Sequence, residues 1–249
     1  IHAHEYKTDL LALLLAARAP VVPLATTHGW TGHSARERGV YYPLDRKLLA
    51  MFPRLVAVSS QIREELVESG ADPRRVEVIL NAIEPDRFQR DPSRVPAARA
   101  RFGFTPDDLV IGAVGRLEPQ KRFDVLIEAV AQLRHEFPAL RLMIAGDGSE
   151  RAALTARATA MLPGGCTLLG HVDDVVAVHE AMDLFVQASD YEGTPNAVLE
   201  AMAMESPIVA TAAGGTAEVA LPGEHGLIVP SGRVDLLAAA MAEALRNRA

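Results

Sequence analysis

The chain has 249 residues, 49% of them apolar and 23% charged, which is enough for one large globular domain or two small ones. A formal net charge of −7 argues against a nucleic-acid partner, since affinity for phosphate backbones rests on clustered Lys and Arg, so any anionic ligand must be held by a few local groups. The single cysteine, Cys166, excludes an intrachain disulfide and a thiolate metal cluster, and points to a reducing, cytoplasmic setting.

In chain order, short β-branched runs alternate with stretches of helical period. Helices are expected at 8–19, 34–52 and 61–69, with strands at 21–27 (VVPLATT), 54–60 (RLVAVSS) and 76–82 (VEVILNA). The apolar run 10–17 falls far short of the ~20 residues that span a bilayer and lacks the flanks of a signal peptide. From Asn81 to Asp108 come four prolines and no clean apolar period, which reads as a linker with at most one short helix. Beyond it, strands are expected at 109–115, 140–146, 166–172, 183–189, 207–212 and 226–231, and helices at 123–137, 150–161, 174–182, 195–204 and 234–246. Cys166 opens the apolar run CTLLGHV and reads as a buried small hydrophobe.

Continuous rather than alternating apolar strands mean that both sheet faces are covered, which predicts parallel sheets in a doubly wound α/β architecture. The division is a partial first domain at 1–83, a linker at 84–107 and a second domain at 108–249. Open parallel sheets bind ligands outside the carboxyl ends of their strands, so the expected site is a cleft bordered by those ends.

Two loops of the second domain carry chemistry. After LVIGAVG come Gly115, Arg116, LEPQ, then Lys121 and Arg122 at a helix start. A glycine ending a strand admits a ligand to the backbone, a helix N-terminus offers free N–H groups, and Arg116 and Lys121 add a fork and a point charge, which together fit a diphosphate. Solvated first-turn cations are the bland reading, but they oppose the helix dipole, and an anion would explain them. In SDYEGTPNAVLEAMA, Thr194 reads as an N-cap and Pro195 as the first helical residue, with Asn196 onward helical. Glu192 then sits in the loop above a strand end and Glu200 on the second helical turn, flanked by Val198, Leu199, Ala201 and Met202. Two carboxylates so placed can each accept a pair of hydroxyls, as from two sugar rings joined by a diphosphate.

The Glu192/Glu200 pair within EGTPNAVLEAMA, with DLFVQASD, GRLEPQKRFDVLIEA, the AGDG turn at 145–148, LGHVDD and ATAAGGTAEV, resembles the donor domain of retaining GT-B glycosyltransferases, group 1, also called family 4. The resemblance covers nearly all of 54–249, with the motifs in the family's order. It implies two Rossmann-like doubly wound domains, the first incomplete. It implies that Arg116 and Lys121 hold the diphosphate of a nucleotide sugar, that Glu200 takes the ribose hydroxyls, and that Glu192 contacts the donor sugar near its reacting carbon. Backbone amides of Gly193, Thr194, Pro195 and Asn196 would line sugar and phosphate, and the loop at His171 and Val172 would border the base. His28 in TTHGWTGHS resembles the histidine that the family places beneath the donor sugar, and is preferred over His33 because it follows a strand at its carboxyl end.

The implied cofactor set is none: a UDP- or GDP-linked sugar is the co-substrate, and no metal is expected, since the sequence holds no Asp-x-Asp and the pairs Asp107-Asp108 and Asp173-Asp174 read as caps at helix starts. Arg116, Lys121 and helix amides would replace the ion. Retention by front-face attack is what the resemblance implies. Two departures stand out. Asn81-Ala82 replaces the usual Asn-Gly before the linker. IHAHEYKTD resembles the middle of the family's first domain, and the chain stops near Arg246, so about half an acceptor domain is expected, with an uncovered edge that invites self-association or a partner chain.

The leading reading is therefore a retaining hexosyltransferase moving a sugar from a nucleotide-sugar donor to a glycan, a lipid-linked saccharide or a small molecule. The alternative is a nucleotide-sugar-binding module without transfer. An epimerase of the same fold would differ in forming product without an acceptor, and a dinucleotide oxidoreductase is discounted because Ser149, Glu150 and Arg151 follow Gly146-Asp147-Gly148. Arg36, Arg38, Arg46 and Lys47, with Tyr41, Tyr42 and Trp30, lie on or beside one expected helix that suits either solvent or peripheral contact with the inner face of an anionic membrane carrying a lipid-linked acceptor.

Overall fold

The structure, a computed structural model, describes residues 1–31 and 36–247. The side chain of Arg38 lies outside the description, as do His33 and Ser34, the second histidine of TTHGWTGHS and the expected start of the second helix. The chain forms two compact units, Ile1–Asn81 with Glu192–Pro195, and Ala82–Tyr191 with Asn196–Ala249. Residues 84–107, read from sequence as a linker, fall within the second unit.

In the first unit, strand β1 (His2–Ala3), helix α1 (Tyr6–Ala16), β2 (Leu24–Thr27), a π-helical turn (Glu37–Tyr41) leading into α2 (Tyr42–Leu49), β3 (Arg54–Ala57), α3 (Ser60–Glu68) and β4 (Val76–Val78) follow in order. The four strands form a parallel sheet in that order, with Ala25 opposite Leu55 and Leu55 opposite Val76. Local chemistry trims the expected elements. β2 starts only after Pro23, which has no N–H to give the ladder. α1 starts at Tyr6 because Thr8 is its third residue: the Thr8 hydroxyl accepts from the Glu5 N–H at 3.1 Å in a capping box. Ser59, expected in a strand, caps α3 by accepting from the Ile62 N–H at 3.2 Å. Phe52, Leu49, Leu55, Ile62 and Leu66 form the buried centre, each such side chain contributing about 1.5–3 kcal/mol. α1 exposes Leu10, Leu11, Leu14 and Leu15 on its other side.

The second unit begins with two 3₁₀ turns (Pro85–Arg87 and Pro92–Arg94) and α4 (Val95–Arg101), more than the one short helix expected in 81–108. It continues through β5 (Leu109–Val114), α5 (Phe123–Leu133), β6 (Leu140–Ala145), α6 (Arg151–Met161), β7 (Cys166–Gly170), α7 (Val175–Ala181), β8 (Leu184–Gln187), α8 (Asn196–Ala203), β9 (Ile208–Thr211), α9 (Thr216–Val219), β10 (Leu227–Val229) and α10 (Val234–Arg246). Its parallel sheet has the order β10-β9-β8-β5-β6-β7, so the chain reverses direction across the sheet beside β5. Alternate residues of each strand serve opposite faces. Ile111, Leu142, Ile144 and Val209 join α5, α6 and α10, while Val110, Met143, Phe185 and Ile208 join α4, α7 and α8. α5 shows why it folds: Phe123, Leu126, Ile127, Val130 and Leu133 make one apolar stripe at helical spacing. Asp174 caps α7 as expected, accepting from the Ala177 N–H at 3.2 Å. Asp107-Asp108 does not start a helix. Asp108 closes a turn before β5, accepting from the Thr105 N–H at 2.7 Å and pairing with Arg141 at 3.0 Å.

Candidate functional site

Three strands of the second unit, β5, β6 and β7, end around a cavity of about 260 Å³ lined by Val114, Gly115, Arg116, Ala145, Gly146, Asp147, His171, Val172 and Val175. Its floor is main chain. The Gly115 N–H donates to the Ala145 carbonyl at 3.0 Å, the Gly146 N–H to the Gly170 carbonyl at 2.8 Å, and the Leu117 N–H to the Asp147 carbonyl at 2.9 Å. Gly146 holds φ at 143°, and a Cβ there would stand 1.8 Å from the Gly115 carbonyl oxygen. No other residue fits this approach.

Of the residues singled out in the sequence, Gly115, Arg116, His171 and Val172 line this cavity. Lys121 joins them, its Cε and Cδ at 3.6 and 3.7 Å from where a Gly115 Cβ would lie. The position of Lys121 corrects one expectation. Neither Lys121 nor Arg122 is a first-turn cation: Lys121 ends a 3₁₀ turn (Pro119–Lys121), and Arg122 is the N-cap of α5 in the left-handed conformation, φ 49°. Arg122 is matched by Asp124 at 3.1 Å and Asp190 at 2.6 Å, so its charge needs no outside anion.

Glu200 lies on the second turn of α8, its side chain 18% exposed. Its Oε2 lies 3.4 Å from Nε2 of His179 in α7. His179 stands one turn along α7 from Val175, a cavity residue, while Glu200 and His179 are not themselves among the residues lining the cavity. Asn196, the first residue of α8, is exposed.

The remaining named residues belong to the first unit. His28 follows β2 at its carboxyl end. Its Nε2 is 3.2 Å from Nδ1 of His4, and the rings stack at 5.5 Å. Partial burial, then the neighbouring His4 and His2, hold the His28 imidazole below its ordinary value, which favours the neutral ring. Gly193 packs on this segment, since a Cβ there would lie 2.9 Å from the His28 carbonyl oxygen and 2.9 Å from Val58. Thr194 does not serve mainly as a helix cap. Its hydroxyl donates to the Val58 carbonyl and accepts from the Asn81 N–H at 3.2 Å, while the Asn81 side-chain amide donates to the Thr194 carbonyl at 3.2 Å. α8 accordingly begins at Asn196, one residue after Pro195. Glu192 is buried, 8% exposed.

Among the residues not singled out, Asp147 and Val175 line the cavity and His179 meets Glu200. His179 left one signal in the sequence, a lone polar residue in the apolar run VVAVHEAM. Glu118 accepts from the Ser149 N–H at 3.2 Å and its hydroxyl at 2.8 Å, tying the loop after β5 to the start of α6. Of the basic set near the second helix, Arg46 is engaged inward, stacked over Trp30 at 4.4 Å and paired with Glu65 at 3.1 Å. No helix among the described residues is long and apolar enough to cross a membrane.

Comparison with known proteins bears on this arrangement. Residues 108–247 match the family model for glycosyl transferases group 1, and residues 1–87 match glycosyltransferase family 4. The chain is 33% identical to a D-inositol 3-phosphate glycosyltransferase of Stackebrandtia nassauensis, over 92% of this chain and 56% of that protein. It is 31% identical to a protein of the same name from Rhodococcus jostii, over 79% of this chain and 46% of that protein. The chain thus spans about half the length of these curated relatives. Among solved structures, the Anabaena protein HepE in complex with UDP-glucose superposes with a TM-score of 0.89 at 22% identity, over 99% of this chain and 69% of that one, a likeness of fold. With two parallel-sheet α/β units of the GT-B class and family matches over both, the chain belongs to the group 1 glycosyl transferases, glycosyltransferase family 4.

Proposed function

We propose that this chain carries the donor site of a retaining glycosyltransferase, which moves a sugar from a nucleoside diphosphate to a hydroxyl of a saccharide, a lipid-linked saccharide or a small-molecule acceptor. The observation that carries the reading is the glycine-floored cavity at the ends of β5, β6 and β7, with Arg116 in its lining and Lys121 beside Gly115. Arg116 and Lys121 would meet the diphosphate, Glu200 the ribose hydroxyls, and Val172 the edge of the base. Glu192, with the amides of Gly193, Thr194 and Asn196, would take the donor sugar, and neutral His28 would hydrogen-bond its hydroxyls. The bond from the anomeric carbon to phosphate breaks as the bond to the acceptor oxygen forms on the same face, and the leaving phosphate takes the acceptor's proton. Two cations beside the leaving diphosphate stabilise the charge that develops there, so the chemistry needs no metal. A UDP-linked donor is the first choice, because the HepE structure of like fold holds UDP-glucose. Arg36 and Lys47, beside Tyr41, are the groups through which peripheral contact with an anionic membrane would form.

Calorimetric titration with UDP, GDP and ADP, with and without chelator, tests the site. One nucleotide should bind with no dependence on chelator, and Arg116→Ala and Glu200→Ala should each weaken it by about tenfold or more. Glu192→Ala should instead lower turnover and leave binding of the bare nucleotide intact. Unchanged nucleotide affinity in both of the first two variants would overturn the assignment. Nucleotide binding without transfer to any acceptor would favour the binding-module alternative.

A further inference from the structure

We propose that His179 is a positioning residue for Glu200, fixing its carboxylate so that the site distinguishes a ribose from a sugar lacking the 2′ and 3′ hydroxyls. The proposal rests on the donor-site reading above. His179 is fully buried, 0% exposed, in the apolar face of α7, with the Phe88 ring edge-on at 6.3 Å and the Phe185 ring at 5.8 Å. Its Nε2 meets Oε2 of Glu200 at 3.4 Å, and its Nδ1 has no hydrogen-bond partner among the described residues. An imidazolium would leave a buried N–H donor unmatched at Nδ1. The neutral ring with its proton on Nε2 leaves only an acceptor unmatched, which costs less, and aims the one donor at Glu200. A phenylalanine or leucine would fill this position without any unmatched polar atom. What the histidine adds is an N–H that holds Oε2 and so fixes the carboxylate that the donor-site reading assigns to the ribose hydroxyls.

The test uses the full chain and two variants. His179→Phe keeps the volume and loses the donor, while His179→Gln keeps an N–H donor. Each is titrated with whichever of UDP, GDP and ADP binds wild type best, and with its 2′,3′-dideoxy form. Wild type should prefer the ribonucleotide, and His179→Phe should lose about tenfold of that preference with its affinity for the dideoxy form unchanged. His179→Gln should keep most of the preference, and in a Glu200→Ala background His179→Phe should change the preference no further. Equal weakening of both nucleotide forms, or an unchanged preference, in His179→Phe would show a purely structural histidine and overturn the proposal. If His179→Phe does not fold, a His179→Gln variant with no ribose preference overturns it. Failure of the donor-site reading has a different signature: wild type itself binds none of the three nucleotides, or binds ribo and dideoxy forms alike.

Discussion

The guanidinium of Arg122 lies 2.6 Å from the carboxylate of Asp190, and it reaches there from a backbone held at φ 49°. A left-handed conformation costs a non-glycine residue about 1 kcal/mol, so the two facts oppose each other in stability. Asp190 is also held through its own N–H, which donates to the Gln120 carbonyl at 2.9 Å, two residues before Glu192.

Both Arg122→Gly and Arg122→Ala lose the guanidinium, but only alanine keeps the strained backbone. Arg122→Gly should therefore unfold at a higher temperature than Arg122→Ala, by the equivalent of about 1 kcal/mol. In both, the Asp190 amide should exchange hydrogen faster than in wild type. Equal melting temperatures for the two variants would show that position 122 stores no strain.

Asp9 and Asp45 give the first unit a dependence on pH. Both are buried, and the Trp30 indole N–H donates to Asp45 at 3.0 Å. Burial first, then the neighbouring Asp45, push the Asp9 carboxyl up to about 8. A carboxyl whose folded value is raised favours the folded state most fully below its unfolded value of about 4, and that contribution is lost as pH rises toward 8. Asp9→Asn should flatten this slope, so that the variant gains on wild type between pH 4 and 8. Parallel melting curves for the two proteins across that range would refute the coupling.

Thr194→Val keeps shape and removes a buried hydroxyl that serves the Val58 carbonyl and the Asn81 N–H. Leaving such groups unmatched should cost about 1–3 kcal/mol in thermal unfolding. A variant as stable as wild type would mean that water replaces the hydroxyl at no cost.

Cys166 packs against the apolar core, and burial pushes its thiol up to about 12. At pH 8 it should stay protonated and resist iodoacetamide in the native protein, then react once denaturant exposes it. Equal rates in both conditions would show that the site opens freely.

Most of the fold was legible because parallel strands covered on both faces are apolar throughout, as in LVIGAVG and LRLMIAG, and because helices such as 123–133 carry a clear stripe. What escaped notice was too short or too conditional. Strand His2–Ala3 has two residues and helix Thr216–Val219 has four, so neither completes a period. The left-handed turn at Arg122 carries no glycine to announce it, and the Thr194 hydroxyl found Val58 and Asn81, partners distant in sequence that no local cap rule can name. The partly buried position of Glu200 on α8 was legible from its apolar flanks. His179 was not, because a histidine in an apolar run gains meaning only from its neighbour in space.

The cavity bounded by β5, β6 and β7 has a floor of peptide groups and a rim of side chains. Peptide groups are the same in every variant, so substitution can alter the rim while the ladder beneath stays constant. Variation in Asp147, His171 and Val172 is thereby separated from variation in fold, and a library confined to those three positions would sample ligand preference at little cost in folding yield.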